Sequence, residues 1–330
     1  MSDQLDIERH EQLIAYLRAT RRIGADETPR CMTLVGGVSN RTVLVERKGE
    51  GWVLKQALAK LRVKVDWFCD PSRVHCEALG LQHLATLAPP GTITPLVFED
   101  ESHHLLAMQA VPQPHENWKT MLLAGRLEME HVEQFGRLLG TIHRNARSSS
   151  QSLPEIFDDR SFFEWLRLEP YYAYAAEQVP EARDFLHQLI GDTLARRVTL
   201  VHGDFSPKNI LVREGKLILL DHEVIHWGDP AFDIGFGLTH LLSKAHHLRD
   251  HRFIEAAGRF CDVYGEEVDK QAARQTLGCI LARVAGRSPL EYLDERERAR
   301  QRRVVVKLMQ DVPAIPELFE RFWQEINADD

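Results

Sequence analysis

The stretch LVHGDFSPKNILV, residues 200–212, constrains this chain more than any other. Histidine, glycine, aspartate, proline and asparagine interrupt what is otherwise one apolar strand. Polar groups set between Leu-Val and Ile-Leu-Val must be satisfied or they cost stability. After Asn209 the chain reads ILV, then REGK, then LILLD ending at Asp221. Two apolar runs around a glycine-bearing turn predict a β-hairpin. Such a hairpin returns Asp221 to the side of Asp204 and Asn209. Glu223, two residues on, points the same way if the strand continues.

Carboxylates brought together raise each other's pKa unless a cation lies between them. Hard oxygen ligands with few nitrogens favour Mg²⁺, which completes its shell with water and substrate phosphates. Asp221 and Asn209 are the expected metal ligands. Glu223 is either a second carboxylate ligand or a group oriented by a neighbour. Asp204 is left to accept a proton from a hydroxyl nucleophile, a division of labour that suits phosphoryl transfer from ATP. That chemistry also needs a cover and a cation for the phosphates. The turn GGVSN supplies backbone N–H groups from Gly36, Gly37, Ser39 and Asn40, and Lys55 ends a strand. Glu77 lies within the helical stripe Val74, Leu81, Leu84, and a carboxylate on an inward face needs a buried partner. Lys55 is the expected one. His202 sits on the inward run before Asp204 and is expected to be a hydrogen-bonded structural residue rather than a base.

The remaining chain frames this region. Its 330 residues suffice for two domains. A formal net charge of -8 gives nucleic-acid binding no electrostatic support. The basic run ERERARQRRVVVK reads as a solvated helix face. The acidic N-terminus lacks a signal-like apolar segment, and no window approaches the ~18 apolar residues of a membrane span. Five cysteines without a CxxC pair read as buried reduced thiols, so a cytoplasmic protein without a membrane partner is expected. A helix ended by Gly24 is followed by strands flanking Gly36-Gly37, a turn at KGEG and a third strand ending at Lys55. Asp70 and Pro71 open a helix, and two further strands close near Val111. Helices dominate beyond PQPHEN. The expected fold class is α+β, with an antiparallel β N-lobe over 1–111 and a larger, mainly helical C-lobe over 112–330.

With these residues in place the pattern resembles the aminoglycoside phosphotransferase/choline kinase superfamily, the small-molecule branch of the protein-kinase fold. HGDFSPKN is similar to its catalytic loop, LLDHE to its metal-binding segment, and DPAFDIG to the segment after it. The resemblance implies that Asp233 braces the catalytic loop. Within the superfamily, VLKQALAKLR and HENWKTMLLAG resemble the methylthioribose kinases, which implies that Trp118 lies near the nucleotide. It also implies that Gln109 and Val111 offer backbone groups to adenine. Two features depart from those kinases. Asn209 stands where they tend to carry serine, and Arg274-Gln275 stands where they have paired arginines. Gly203 replaces the arginine of the protein-kinase HRD triplet, which implies a site needing no activation-loop phosphate. Arg274, Arg283 and Arg287 lie on an amphipathic helix and the loop after it, where any of them can face substrate. The expected function is ATP-dependent transfer to a hydroxyl of a small polar molecule. A methylthioribose-like sugar, a choline-like amino alcohol, homoserine and an aminoglycoside all stay open as acceptor. The alternative is a nucleotide-binding pseudokinase that senses without turnover, which usually loses its base, metal aspartate or lysine. All three are present here.

Overall fold

A computed structural model describes residues 5–34, 37–63, 66–149 and 152–328. The chain forms two compact units, Met1–Thr86 with Ile93–His115, and Leu87–Thr92 with Glu116–Asp330. The class is α+β, with an antiparallel sheet in the N-terminal region and helices dominating the C-terminal region.

The first unit is built on a five-stranded sheet. Its strands are β1 (Arg30–Thr33), β2 (Asn40–Arg47), β3 (Glu50–Ala57), β4 (Leu96–Asp100) and β5 (Leu105–Gln109), in the order β1-β2-β3-β5-β4. All neighbours run antiparallel. Alternation along each strand sends side chains to two faces. Val43, Val45, Leu54, Leu105 and Ala107 pack against Leu13 and Leu17 of helix α1 (His10–Ala19). Val53, Ala57, Leu106 and Met108 pack instead against Val74, Ala78 and Leu81 of α2 (Arg73–Leu87). Lys55, between Val53 and Ala57, is thereby committed to the α2 face. Helix α1 stops earlier than the glycine at 24 suggested. Arg21 adopts a left-handed φ of 56°. The bonds Arg22 N→Leu17 O (2.8 Å) and Arg21 N→Arg18 O (3.0 Å) close a Schellman-type end there. The second helix likewise begins at Arg73, because Asp70 first caps a turn through Ser72 N (2.9 Å).

The second unit contains short strands among helices. β6 (Glu116–Asn117), β8 (Ile210–Arg213) and β9 (Lys216–Leu219) form one sheet, and β7 (Thr199–Val201) pairs with β10 (His226–Gly228). The predicted hairpin is β8–β9, with Arg213 opposite Lys216. Its turn residues Glu214 and Gly215 both have positive φ, 52° and 71°, the twist that suits a two-residue hairpin. The helices used below are α3 (Trp118–Leu123), α4 (Met129–Ser148), α5 (Arg183–Ala195), α6 (Pro230–Leu248), α7 (Arg252–Tyr264), α8 (Lys270–Ala285) and α9 (Glu295–Met309). Between α4 and α5, Glu164–Ala173 winds as a π-helix around Pro170. Proline has no N–H to donate into an α-turn, and wide turns of this kind often occur at functional sites.

The basic run forms α9, started by a capping box between Asp294 and Glu297. Arg302 and Arg303 are exposed while Val304, Val305 and Leu308 are buried, so the cluster is a solvated face. The cysteines form no disulfide; Cys69 and Cys279 are buried, whereas Cys31, Cys76 and Cys261 are half-buried. Among the described residues no helix is long and apolar enough to cross a membrane.

Two glycines one helical turn apart let α4 and α7 approach closely. A Cβ on Gly136 meets the Phe260 carbonyl oxygen at 2.6 Å, and one on Gly140 falls on the Tyr264 carbonyl oxygen. Backbone cannot yield as a flexible side chain can. Gly140→Ala is therefore expected to destabilise by ~1–3 kcal/mol through overpacking, measurable as a lowered thermal midpoint. An unchanged midpoint removes this contact from the account.

Candidate active site

The segment around Asp204 is shaped by one buried carboxylate. Asp233, in the first turn of α6, accepts from His202 N (2.7 Å) and Gly203 N (2.8 Å). His143 of α4 reaches the same carboxylate with Nε2 (3.3 Å), and its Nδ1 meets the Tyr264 hydroxyl (2.8 Å). Burial pushes the Asp233 pKa up, but the His143 hydrogen bond and charge, His202 and the backbone donors hold it below its ordinary value. Asp233 thus braces the loop. His202 is buried with a lowered pKa, chiefly from burial. Its Nδ1 accepts from Asp204 N (3.2 Å).

Gly203 adopts φ +75°, and a Cβ there meets the Val224 carbonyl oxygen and Cγ2, both at 2.9 Å. Strain and crowding together exclude the arginine found in the HRD triplet. A guanidinium arrives by another route. Arg167, on the π-helix, donates Nε to Gly203 O (3.0 Å) and places Nη2 3.0 Å from Asp204 Oδ2. Burial works against its charge, yet Asp204, Tyr171, Glu223 and Asp221 raise its pKa above the usual arginine value. The sequence reading missed Arg167. SFFEWLRLEPYY reads as an amphipathic helix, and only Pro170 hints at the irregular turn.

Asn209 donates its amide nitrogen to Asp204 Oδ2 (2.7 Å) and to Asp204 O (3.0 Å). Both bonds use Nδ2, so the amide oxygen faces away, free in chemistry to ligate a hard cation. The hairpin sets Ile210 opposite Leu219, and Leu220 N bonds Asn209 O at 2.9 Å. Asp221 follows at once, in a left-handed φ of 70°. Asp204, Asn209 and Glu223 are buried, and Asp221 is half-buried. The charges of Asp204, Glu223 and Asp221 all act on Arg167, and those of Asp204 and Asp221 act on His202. The hairpin therefore gathers these groups locally. Among the described residues no three His, Cys, Asp or Glu side chains form an all-protein metal cage. One or two carboxylates with an amide oxygen suit Mg²⁺, which takes further ligands from water and phosphate.

In the first unit, Lys55 Nζ lies 2.6 Å from Glu77 Oε1, and Glu77 is fully buried. Strand parity and the α2 stripe produce this pair. Arg73, also fully buried, donates to the carbonyls of Ser39, Leu58 (3.0 Å) and Asp70 (3.1 Å). It ties the end of the glycine turn to the start of α2, and nothing in the sequence reading singled it out. Gly36 lies outside the described residues. A Cβ at Gly37 meets nothing within 4 Å. Asn40 opens β2 and is buried. Gln109 N is already bonded to Pro95 O (2.8 Å), so Gln109 can offer a ligand its carbonyl and not its N–H. Among the described residues Val111 makes no backbone hydrogen bond.

Four residues expected near the nucleotide or the substrate lie as follows. Trp118 is fully buried in α3, edge-on to Phe135 at 4.9 Å, and Phe135 stacks on Phe205 at 4.1 Å. Its ring supports the residue after Asp204 from the core, as its apolar area favours. Arg274 is spent on Asp192 of α5 and on Gln188 (3.2 Å). Arg287 is exposed, its Cζ 5.1 Å from the Tyr174 ring. Arg283 differs: it is buried and donates to the Tyr171 hydroxyl at 3.3 Å.

The family model described as "Phosphotransferase enzyme family" matches residues 30–275. A methylthioribose kinase of Pectobacterium atrosepticum is 26% identical over 270 residues, 67% of this chain and 66% of that protein. The chain spans less than two thirds of the length of the curated relatives it matches. The amicoumacin kinase hAmiN, solved with AMP-PNP, Ca²⁺ and Ami, superposes with a TM-score of 0.56 at 15% identity, covering 93% of this chain and 97% of that one. Choline kinase LicA from Streptococcus pneumoniae gives a TM-score of 0.50 at 14% identity, covering 97% and 99%. At such identities these structures speak for the fold, which is protein-kinase-like.

The Asp233 brace yields a pH signature. A carboxylate whose folded pKa is depressed contributes stability that is complete above its unfolded value and is lost as pH falls through the folded value. Asp233→Asn is expected to cost ~3 kcal/mol near neutrality, since an amide cannot accept from both backbone donors and pair with His143. The gap from wild type should narrow as the pH drops below the ordinary 3.8. Urea unfolding from pH 7 to pH 3 measures this, and a gap that does not change with pH refutes it.

Proposed function

We propose that this chain, which belongs to the phosphotransferase enzyme family, is an ATP-dependent kinase acting on a hydroxyl of a small polar molecule. The observation that carries the reading is the fixed carboxylate of Asp204. Arg167 and Asn209 both engage Oδ2, which leaves Oδ1 to accept a proton. In the proposed step the acceptor oxygen bonds to the γ-phosphorus and the bond to the ADP oxygen breaks. The hydroxyl proton passes to Asp204 Oδ1. Phosphoryl transfer asks the protein mainly for positioning and charge, and the Asp233 brace and the Arg167 bond supply positioning.

Asn209 Oδ1 and Asp221 would hold Mg²⁺, with Glu223 beside them. When bound, the ion neutralises charge on the phosphates. In the first unit, Lys55 offers its ammonium to the α- and β-phosphates, and Glu77 keeps it in place. Gly37, Ser39 and Asn40 are the described backbone groups assigned to the phosphates, and Arg73 holds Ser39. The Gln109 carbonyl and the Val111 backbone are the groups assigned to adenine. The names of the relatives make methylthioribose and choline the first acceptors to try. A cytoplasmic setting is the proposed one, in keeping with cysteines that form no disulfide.

Two substitutions separate the roles. Asp204→Asn is expected to lower kcat by about 10²–10⁴, the usual worth of a general base, with Mg-ATP still bound. Turnover equal to wild type removes Asp204 from the base role. Lys55→Met is expected to weaken Mg-ATP binding at least about tenfold, the loss of one charge-assisted contact. Chelation of divalent cations should abolish transfer. Tight Mg-ATP binding with no turnover on any acceptor would instead identify a nucleotide sensor.

A further inference from the structure

Beside Asp204, the second unit collects positive charge that its own carboxylates do not neutralise. Lys244 of α6 is fully buried. Its ammonium donates to the His240 carbonyl (3.2 Å) and lies 5.2 Å from the Tyr292 ring, and among the described residues it has no carboxylate partner. Arg283 of α8 is buried as well. It donates to the Tyr171 hydroxyl (3.3 Å), to Ser288 Oγ (2.9 Å) and to the Ser288 carbonyl, again without a carboxylate among the described residues. The Tyr292 hydroxyl is buried with no hydrogen-bond partner.

The surrounding charges sharpen the imbalance. Burial, Lys119 and Arg283 push Lys244 down to about 7, with Glu291 opposing them. His240 is driven well below its ordinary value by burial, then by Lys244, Arg283, Lys119 and Lys208, so it adds no positive charge of its own. Two acids are near. Glu291 is paired with Lys119, and Glu297 is taken by His247 Nδ1 at 2.8 Å and by the α9 cap. An ammonium buried without a counter-ion is unfavourable, and an arriving anion relieves it.

The cluster is continuous with the reacting carboxylate. Arg167, bound to Asp204, sits with Cζ 5.7 Å from the Tyr171 ring, and Arg283 Cζ lies 5.5 Å from the same ring. Tyr171 stacks on Phe236 (6.0 Å), and Phe236 meets His240 edge-on (5.2 Å). We propose that Lys244, Arg283 and the Tyr292 hydroxyl form an acceptor subsite for a compact oxyanion, carboxylate or phosphate. The molecule phosphorylated is then a small hydroxylated anion. This rests on the kinase reading above and narrows its substrate class. A neutral sugar leaves these cations unpaired, and a quaternary amine or aminoglycoside meets like charge.

Calorimetric titration of malonate and of inorganic phosphate into the full chain tests the subsite without turnover. At least one anion is expected to bind wild type, to bind Lys244→Met at least about tenfold more weakly, and to bind a variant of the exposed Arg302, Arg302→Met, as wild type does. If neither anion binds, or binding survives Lys244→Met, the subsite is refuted. Because Lys244→Met removes an uncompensated buried charge, its thermal midpoint is expected to equal or exceed that of wild type. Tyr292→Phe, nearly isosteric, gives a second reading in which weakened anion binding is expected and unchanged binding counts against the site. An ADP-release panel should then find turnover with sugar acids, hydroxy acids or phosphorylated polyols. Best turnover with methylthioribose, choline or an aminoglycoside would overturn the anion subsite and leave the kinase reading standing. Loss of that reading would show separately, as absent Mg-ATP binding.

Discussion

Two adjacent backbone N–H groups, those of His202 and Gly203, point at one carboxylate oxygen pair on Asp233. Successive amides face the same direction only where the chain turns sharply, and Gly203 supplies that turn with a left-handed φ. The cost of the turn is offset by charge-assisted hydrogen bonds made away from water. His143 and Tyr264 extend the network to α4 and α7. The geometry of Asp204 therefore depends on packing between helices far along the chain. The glycines at 136 and 140, which let those helices meet, belong to the same support.

A second dependence runs through the π-helix. Widening the turn around Pro170 presents Arg167 to Gly203 O and Asp204 Oδ2 on one side and Tyr171 to Arg283 on the other. Arg167 thus reaches Asp204 from outside the loop, with Gly203 left in place. It orients Asp204 with a buried guanidinium that arrives from a separate segment. The same wide turn links Asp204 to the cation cluster of Lys244 and Arg283. One irregularity in a helix accordingly shapes both ends of the proposed acceptor site.

The legible and the illegible parts of this site differ in kind. Lys55 and Glu77 could be paired from sequence because strand parity and helical periodicity each fix a face, and two faces sufficed. The return of the chain beside Asn209 was legible because REGK is a hairpin turn with local chemistry. Arg73, His143 and Arg167 were not legible. Each is a polar residue within a helical pattern, where periodicity marks it as one more polar position and says nothing of a partner distant in sequence. Trp118 went the other way. Resemblance put it near the nucleotide, and what the structure adds is its packing against Phe135. Arg274 and Arg287 were indistinguishable from Arg283 on their helix and loop, and only their neighbours separate them.

Short-range chemistry was therefore set by the amino-acid order alone. The turn, the alternating strands, the buried acid on α2 and the set of oxygen donors follow from residues within a few positions of one another. Which cation meets which carboxylate was decided by tertiary structure. That choice depends on burial, because a buried charge must find a partner wherever the fold brings one. Neither the Asp204–Arg167 pair nor the uncompensated Lys244 can be read before helices from different stretches of the chain have packed together.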